Sequence, residues 1–442
     1  MNYSEFLESK RIENIYSGFD PVDLNPNLFD FQRDVVSWAC RRGKAAIFED
    51  CGLGKSIQQL SWANQVHRHT KRNVLIVAPL AVSKQTKREG EKFGIDVNVC
   101  RSQDDVQHGI NITNYEMLDN FNADEFSGVV LDESSILKNY SGKIRNSIIQ
   151  KFRDTPYKLA CTATPSPNDL MELGNHSEFL TDVTRAEMLA MFFVHDSGDT
   201  AKWRIKKHAQ TEFWEWVCTW AVMLRNPGEI GYDGDRFNLP ALNINDVMLP
   251  YFMGEIPEKM GLQDRRRARR ETINERCRVA ANIVNASDET FIVWCDLNDE
   301  SSLLASLIDD SVEVKGANKP EHKENSMIDF SENKIKCLVT KPKIAGLGMN
   351  WQNCHNQIFV GLSDSYEQYY QAVRRCWRFG QKEDVNIHII YSQKEGAVVE
   401  NIRRKEQIHN DMFDNMINAM QPISCETIKQ QSIKKEYKPT VD

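Results

Sequence analysis

Short apolar runs alternate along this chain with longer stretches whose apolar residues recur at helical spacing. In the first half the runs are AAIF (45–48), NVLIVAP (73–79), VVLD (129–132) and YKLACTAT (157–164). Helical patterns such as Ser56–His67 and Ser141–Phe152 fall between them. In the second half the runs are TFIVWC (290–295), VEVKG (312–316), KCLVT (336–340), QIFVG (357–361) and VNIHIIY (385–391). Helical patterns there include Ser301–Asp309 and Tyr366–Arg378. Buried, β-rich runs alternating with helices predict parallel strands joined by right-handed crossovers. The fold class expected is α/β, in two lobes.

Between the lobes, over about 175–275, the rhythm changes. Trp203, Trp214, Trp216 and Trp220 cluster with phenylalanines in a helical pattern, and the Gly/Pro/Asp-rich stretch NPGEIGYDGDRFNLP (226–240) follows. These aromatics are either a local mini-core or a contact surface for nucleic acid. The boundaries read from the pattern are a first lobe over 1–240 with a helical insert at about 175–225, a linker over 241–275, a second lobe over 276–410, and a polar tail over 411–442.

Composition narrows the class. A chain of 442 residues exceeds one ordinary core and predicts two to three domains. No run approaches the ~18 apolar residues of a membrane span, so no membrane partner is expected. The opening MNYSEFLESK is polar and carries acids, unlike a secretory signal. The 11 cysteines are scattered without a CxxC pair, which argues for reduced thiols, a cytoplasmic location (nucleoid-associated in a bacterial or phage setting) and no zinc site. Net charge is −8, so any nucleic-acid binding must use a local track and not the overall field. KWRIKKH (202–208), RRRARR (265–270) and KKEYK (434–438) are such tracks or solvated faces; RRRARR reads best as a helix face near the lobe junction.

Three motifs carry chemistry. EDCGLGKS (49–56) follows an apolar run and opens a helical one. Glycines let a backbone wrap a phosphate, and a helix start supplies unpaired N–H groups. Gly52, Leu53 and Gly54 would form the cradle, Lys55 would reach the β/γ-phosphates, and Ser56 would hold magnesium. Glu49 stands where the general phosphate-loop pattern has its first glycine. The second motif is VVLDE (129–133), a strand ending in two acids: Asp132 suits the metal and Glu133 the attacking water. The third is QAVRRCWRFGQ (371–381), where Arg375 and Arg378 lie three apart, on one helical face, and can stabilise charge on a γ-phosphate.

Together these motifs resemble a superfamily-two helicase, and most closely the Swi/Snf-type DNA translocases in a compact phage or mobile-element form. That family writes its loop DEMGLGKT, with an acid where Glu49 stands. The resemblance runs from about residue 24 to about 405. It implies two tandem RecA-like lobes, ATP and Mg²⁺ as cofactors, and DNA, single- or double-stranded, as partner, with other replication or recombination proteins as further partners. In LFDFQRDVV (28–36) it implies Gln32 as the base-reading amide with Phe31 beside it. In VAPLAVSKQ (77–85) it implies backbone contacts with DNA by Pro79, Leu80, Ser83 and Lys84, and in ITNYE (112–116) by Asn114 and Tyr115. CTATPSPNDLMEL (161–173) resembles the motif coupling ATP state to DNA grip. VTKPKIAGLGMNW (339–351) implies DNA contacts at Thr340, Lys341, Asn350 and Trp351 and a nucleotide-side glycine, Gly346. QAVRRCWRFGQ (371–381) resembles the arginine-finger motif, which implies that Gln371, Arg375 and Arg378 face the cleft. DESS replaces the family's DEAH or DEGH.

The function expected is an ATP-dependent DNA translocase or helicase, with strand separation and duplex translocation both open. A nucleic-acid-stimulated ATPase acting as a remodeller or on RNA, without DNA strand separation, is the alternative. A non-hydrolysing nucleotide switch is opposed by Glu133, Arg375 and Arg378. A metabolic phosphate-loop kinase would need neither a second lobe nor distant arginines.

Overall fold

Parallel pairing dominates the computed structural model, as buried runs joined through helices require. It describes residues 17–79, 82–138, 142–167, 169–196, 199–250, 262–345 and 349–429. These fall into two units, one within Met1–Phe237 and His409–Asp442, the other within Asn238–Ile408.

The first unit contains β1 (Lys44–Glu49), β2 (Asn73–Ala78), β3 (Val97–Val99), β4 (Ile110–Asn114), β5 (Phe126–Asp132), β6 (Tyr157–Cys161), a hairpin of β7 (Phe193–Asp196) and β8 (Asp199–Ile205), and β9 (Ala221–Leu224). Its helices are α1 (Asp30–Arg42), α2 (Lys55–Thr70), α3 (Ser83–Phe93), α4 (Lys143–Lys151), α5 (Leu173–Leu180), α6 (Arg185–Phe192) and α7 (Gln210–Cys218). The strands other than the hairpin make a parallel sheet in the order β3-β4-β2-β5-β6-β1-β9.

The second unit holds β10 (Leu242–Leu249), β11 (Phe291–Cys295), β12 (Ser311–Val314), β13 (Cys337–Thr340), β14 (Asn356–Val360) and β15 (Val385–Ser392). They pair in parallel in the order β10-β15-β14-β11-β13-β12. Its helices are α8 (Leu262–Glu271), α9 (Ile273–Asn285), α10 (Asn298–Leu307), α11 (Pro320–Ser331), α12 (Pro342–Ala345), α13 (Tyr366–Val373) and the start of α14 (Gly396–Lys429). Successive residues of β11 feed opposite cores. Ile292 and Trp294 pack with Phe359 and Val398, while Phe291, Val293 and Cys295 pack with Ala280 and Leu304. A strand buried on both faces favours apolar residues on both, and β11 is apolar at every position, which is why FIVWC was legible as one.

Several expectations need correction. The segment 241–275 is not a plain linker, because β10 hydrogen-bonds along β15 as an edge strand and α8 follows it. Its side chains are largely exposed, so its polar alternation hid the strand. The insert is not wholly helical, for it carries the β7–β8 hairpin and ends in β9, which joins the first sheet. Trp214, Trp216 and Trp220 are buried with Phe192 and Phe213 as a mini-core. From 411 the chain continues as helix to Lys429, and Asp414 pairs with Arg225 at 2.6 Å. Cys40, Cys51, Cys100, Cys161, Cys218, Cys277, Cys295, Cys337, Cys354 and Cys376 are free, and of these all but Cys51 are buried. No helix among the described residues is long and apolar enough to cross a membrane. The stretch 1–16, with the opening segment, and KKEYK lie outside the described residues.

The basic run 265–270 is also more than a solvated face, since Arg269 enters a largely buried ion network. Arg276 and Glu300 are fully buried and 2.8 Å apart. Glu395 meets Arg269 at 3.0 Å and Arg276 at 3.5 Å, and Arg269 meets Asp296 at 2.6 Å. Arg276 Nη2 donates to the Arg269 carbonyl, and Glu300 accepts from the Asp296 and Leu297 amides. The network straps α8 and α9 to the loops after β11, β14 and β15. Gly361 turns beneath it with φ +88°, and a Cβ there would lie 2.9 Å from Arg276 Nη1. Removing one partner of such a pair strands the other charge in the interior. Arg276→Ala is therefore expected to destabilise this unit by about 3–5 kcal/mol, measured as a lowered urea midpoint.

Candidate nucleotide and catalytic site

The phosphate loop is shaped by two left-handed glycines between a buried strand and a helix. β1 is buried from Ala45 through Glu49. Gly52 has φ +98° and Gly54 φ +81°, conformations that cost glycine little. Gly54 is the N-cap of α2, whose first residues are Lys55 and Ser56, so unpaired N–H groups and the positive end of the helix dipole open there. Gln32 braces the loop from α1: its Nε2 donates to the Leu53 carbonyl at 2.7 Å, and its Oε1 accepts from the Phe29 amide at 2.9 Å. A side chain at 54 would collide with that amide. One donor hydrogen and one lone pair of Gln32 remain for a base. Phe31 is buried against Phe237 and Tyr232 and supports α1 from within. Lys55 Nζ donates to the carbonyls of Glu49 and Asp50 at 2.7 and 3.1 Å. The Asp50 amide donates to Leu224, tying the loop to β9.

The two acids leave β5 beside this loop. Asp132 lies in register with Cys161 of β6, which lies in register with Ile47 of β1. Gln59 of α2 donates to Asp132 Oδ1 at 2.7 Å. Glu133 has φ +53°, its amide donates to Asp132 Oδ1 at 3.2 Å, and Thr162 Oγ1 donates to Glu133 Oε2 at 3.4 Å. Burial raises the Asp132 pKa, opposed by the Gln59 bond and by the Lys55 charge. Gln59 follows Ser56 by one turn, so the Ser56 hydroxyl and the Asp132 carboxylate fall at one end of α2. Hard oxygen donors of this kind, with a buried carboxyl whose charge needs a cation, fit Mg²⁺. Among the described residues no group of three His, Cys, Asp or Glu side chains offers another metal site.

Glu49 is the loop's unusual member. Its carboxyl is fully buried, Oε2 accepts from Gln58 Nε2 at 2.6 Å, and Oε1 has no hydrogen-bond partner. Burial pushes its pKa up to about 7, against the pull of Lys55 and Gln58.

The expected third motif is built differently from its reading. α13 stops at Val373, with Arg374 as C-cap, so Arg375 and Arg378 lie on the turns that follow and not on one helical face. The break is fixed by packing: Arg374 lies over the Trp377 ring, and the Trp377 indole donates to the Pro240 carbonyl at 2.8 Å. Arg375 is buried, with Nε donating to the Gln371 carbonyl at 3.1 Å and Nη1 to the Met349 carbonyl at 3.0 Å. Gln371 and Arg378 are half-buried.

Several expected DNA contacts turn inward. Thr340 is fully buried and its hydroxyl donates to the Val314 carbonyl at 2.8 Å. Trp351 is a core residue against Trp294 and Phe330. The Asn114 side chain caps the Met117 amide, and the Tyr115 hydroxyl donates to the Asp132 carbonyl at 2.7 Å. Ser83 is buried at the start of α3. Lys84 and Asn350 are exposed, and Pro79 and Lys341 are half-buried. Leu80 and Gly346 lie outside the described residues.

Residues 31–182 match the family model of the SNF2-related domain, and residues 275–380 match that of the helicase conserved C-terminal domain. The chain belongs to the SNF2-related helicase family. This SNF2-type chain is similar to human TATA-binding protein-associated factor 172, 25% identical over 40% of this chain and 11% of that protein. It is likewise similar to the DNA annealing helicase and endonuclease ZRANB3 of Bos taurus, 26% identical over 34% of this chain and 15% of that protein. The match thus spans only a small part of these relatives' length. A solved structure, the Sulfolobus solfataricus SWI2/SNF2 ATPase core in complex with dsDNA, is 16% identical with a TM-score of 0.44, covering 94% of this chain and 99% of that one.

The site of this SNF2-type chain also uses residues its motifs did not single out. Gln58 and Gln59 are buried polar positions on α2, and the adjacent glutamines between Ile57 and Leu60 were the available signal. His176 and Asn175, on α5, carried none. A proton held on Glu49 in the folded state up to about pH 7, but lost from the unfolded chain above its ordinary 4.5, makes stability fall as pH rises across that window. Glu49→Gln is expected to remove that fall, so that the urea midpoint of the variant gains on the parent between pH 5 and pH 8.

Proposed function

We propose that this chain is an ATP-driven DNA translocase or helicase. The observation that carries the reading is the meeting, at one sheet edge, of a left-handed glycine loop with Lys55 and a strand end bearing Asp132 and Glu133, in a chain that matches both SNF2-related and helicase C-terminal domains. Lys55 Nζ would exchange its two carbonyl partners for β/γ-phosphate oxygens. Glu133 would orient the attacking water and take its proton. A magnesium ion on Ser56 and Asp132 would supply charge neutralisation at the phosphates. Arg375 and Arg378 are proposed to stabilise charge at the γ-phosphate, with Gln371 beside them, and Gln32 to read the base.

DNA as the partner is supported by the relatives' own descriptions, one of which names a DNA annealing helicase. Exposed Lys84, Lys87 and Arg88 on α3 are the residues proposed to meet the phosphate backbone. Such contacts position without reading sequence, and their affinity falls steeply with salt. A cytoplasmic setting, nucleoid-associated if the chain is bacterial or phage-borne, belongs to the same proposal and is supported by the free thiols; replication or recombination proteins as further partners rest on the family resemblance alone.

The test is ATP turnover measured in parallel with single-stranded, duplex and forked DNA and with RNA, alongside strand displacement. Stimulation by DNA is expected; stimulation by RNA alone would replace DNA as the substrate. Lys55→Ala should abolish turnover. Glu133→Gln should retain nucleotide binding while losing hydrolysis. Arg378→Ala should keep nucleotide affinity and lose the DNA-stimulated rate, and normal turnover in that variant would remove the arginine from the mechanism.

A further inference from the structure

Glu133 adopts a left-handed backbone, φ +53°, which strains a residue that carries a Cβ, so its surroundings must hold it. A 3₁₀ turn over Ser134–Lys138 follows immediately, and the Ile136 amide donates to the Glu133 carbonyl at 3.2 Å. Helix α5 grips both ends of that turn. His176 Nε2 and Ser134 Oγ share a hydrogen bond of 3.0 Å, and Asn175 Nδ2 donates to the Lys138 carbonyl at 3.1 Å. Ser134, Asn175 and His176 are all fully buried. The imidazole also meets the edge of the Phe48 ring, at 5.1 Å and 81°, and Phe48 directly precedes Glu49. One side chain therefore touches both the strand that feeds the phosphate loop and the turn that carries the water-orienting acid. α5 is tied in turn to α4 through Arg145 and Glu178 at 2.5 Å.

We infer that His176 and Asn175 are positioning residues for Glu133: through Ser134 and the Lys138 carbonyl, α5 sets the backbone turn that aims the carboxylate at the attacking water. This rests on the hydrolysis reading above. DESS lacks the histidine of DEAH, and here an imidazole reaches the same turn from a separate helix. Burial lowers the His176 pKa to about 4, so the bond to Ser134 is made by a neutral ring at ordinary pH. Loss of the bond leaves the loop and its lysine in place, so hydrolysis should suffer while nucleotide binding does not.

The experiment is steady-state ATP turnover of the full chain with DNA, for Ser134→Ala, His176→Leu, His176→Gln and the double variant Ser134→Ala/His176→Leu. A displacement of about 1 Å can cost up to about a hundredfold in rate. Each of Ser134→Ala and His176→Leu is expected to lower kcat by about tenfold or more, with KM for ATP changed less than about twofold. His176→Gln, whose amide can still bond Ser134, should recover most of the rate. The double variant should lose no more than the worse single one, because both remove the same bond. Unchanged kcat in Ser134→Ala and His176→Leu would overturn the inference. So would a loss that follows the unfolded fraction, raises KM equally and is not recovered by glutamine. Absence of turnover in the parent chain with every nucleic acid would instead overturn the hydrolysis reading, and the inference would fall with it.

Discussion

Three parallel strands ending side by side are the constraint from which the first unit's chemistry follows. β5, β6 and β1 are hydrogen-bonded in that order, with Asp132, Cys161 and Ile47 level with one another. Parallel pairing puts all three carboxyl ends at one edge, where an open α/β sheet offers its crevice. Each chain then leaves the edge through a distinctive turn: two left-handed glycines after β1, a left-handed Glu133 after β5, and the buried threonines Thr162 and Thr164 after β6. If the register slipped by one residue, Asp132 would exchange faces and leave Gln59.

The electrostatics of that edge depend on burial more than on charge pairs. Glu49 and Asp132 are both held above the usual carboxylate range by desolvation, and Lys55 only partly opposes this. Buried glutamines, not cations, supply the nearest side-chain partners. A site of this kind is short of positive charge, which suits a ligand that brings its own cation.

The second unit uses its polar residues as braces. The Arg276–Glu300–Glu395–Arg269 network and the inward Thr340 hydroxyl satisfy backbone and charge within the unit. Trp351 fills the core beside Trp294 and would cost about 3–5 kcal/mol if truncated. Side chains that resemble nucleic-acid contacts in a one-dimensional motif thus prove to be internal supports. The motif keeps its place in the fold while the side chain itself meets protein.

Strands with an unbroken apolar run, such as FIVWC and the VLIVA of β2, were legible because both faces of a central strand are buried. The acid pair and the glycine loop were legible because few residue types can make those turns or hold a metal. β10 was hidden because an exposed edge strand has no apolar signature, and β4 because Asn111 and Thr113 occupy buried positions that pattern reading treats as solvent-facing. The local helix limit at Val373 could not be read either, since it is set by Trp377 reaching Pro240 far along the chain. The sequence alone determined the two alternating α/β units, the phosphate loop and the acids, because local periodicity and backbone geometry are written in neighbouring residues. Only the tertiary structure decided which polar side chains face inward and that His176 meets both Phe48 of β1 and Ser134 of the turn after Glu133, because those depend on contacts between residues distant in sequence.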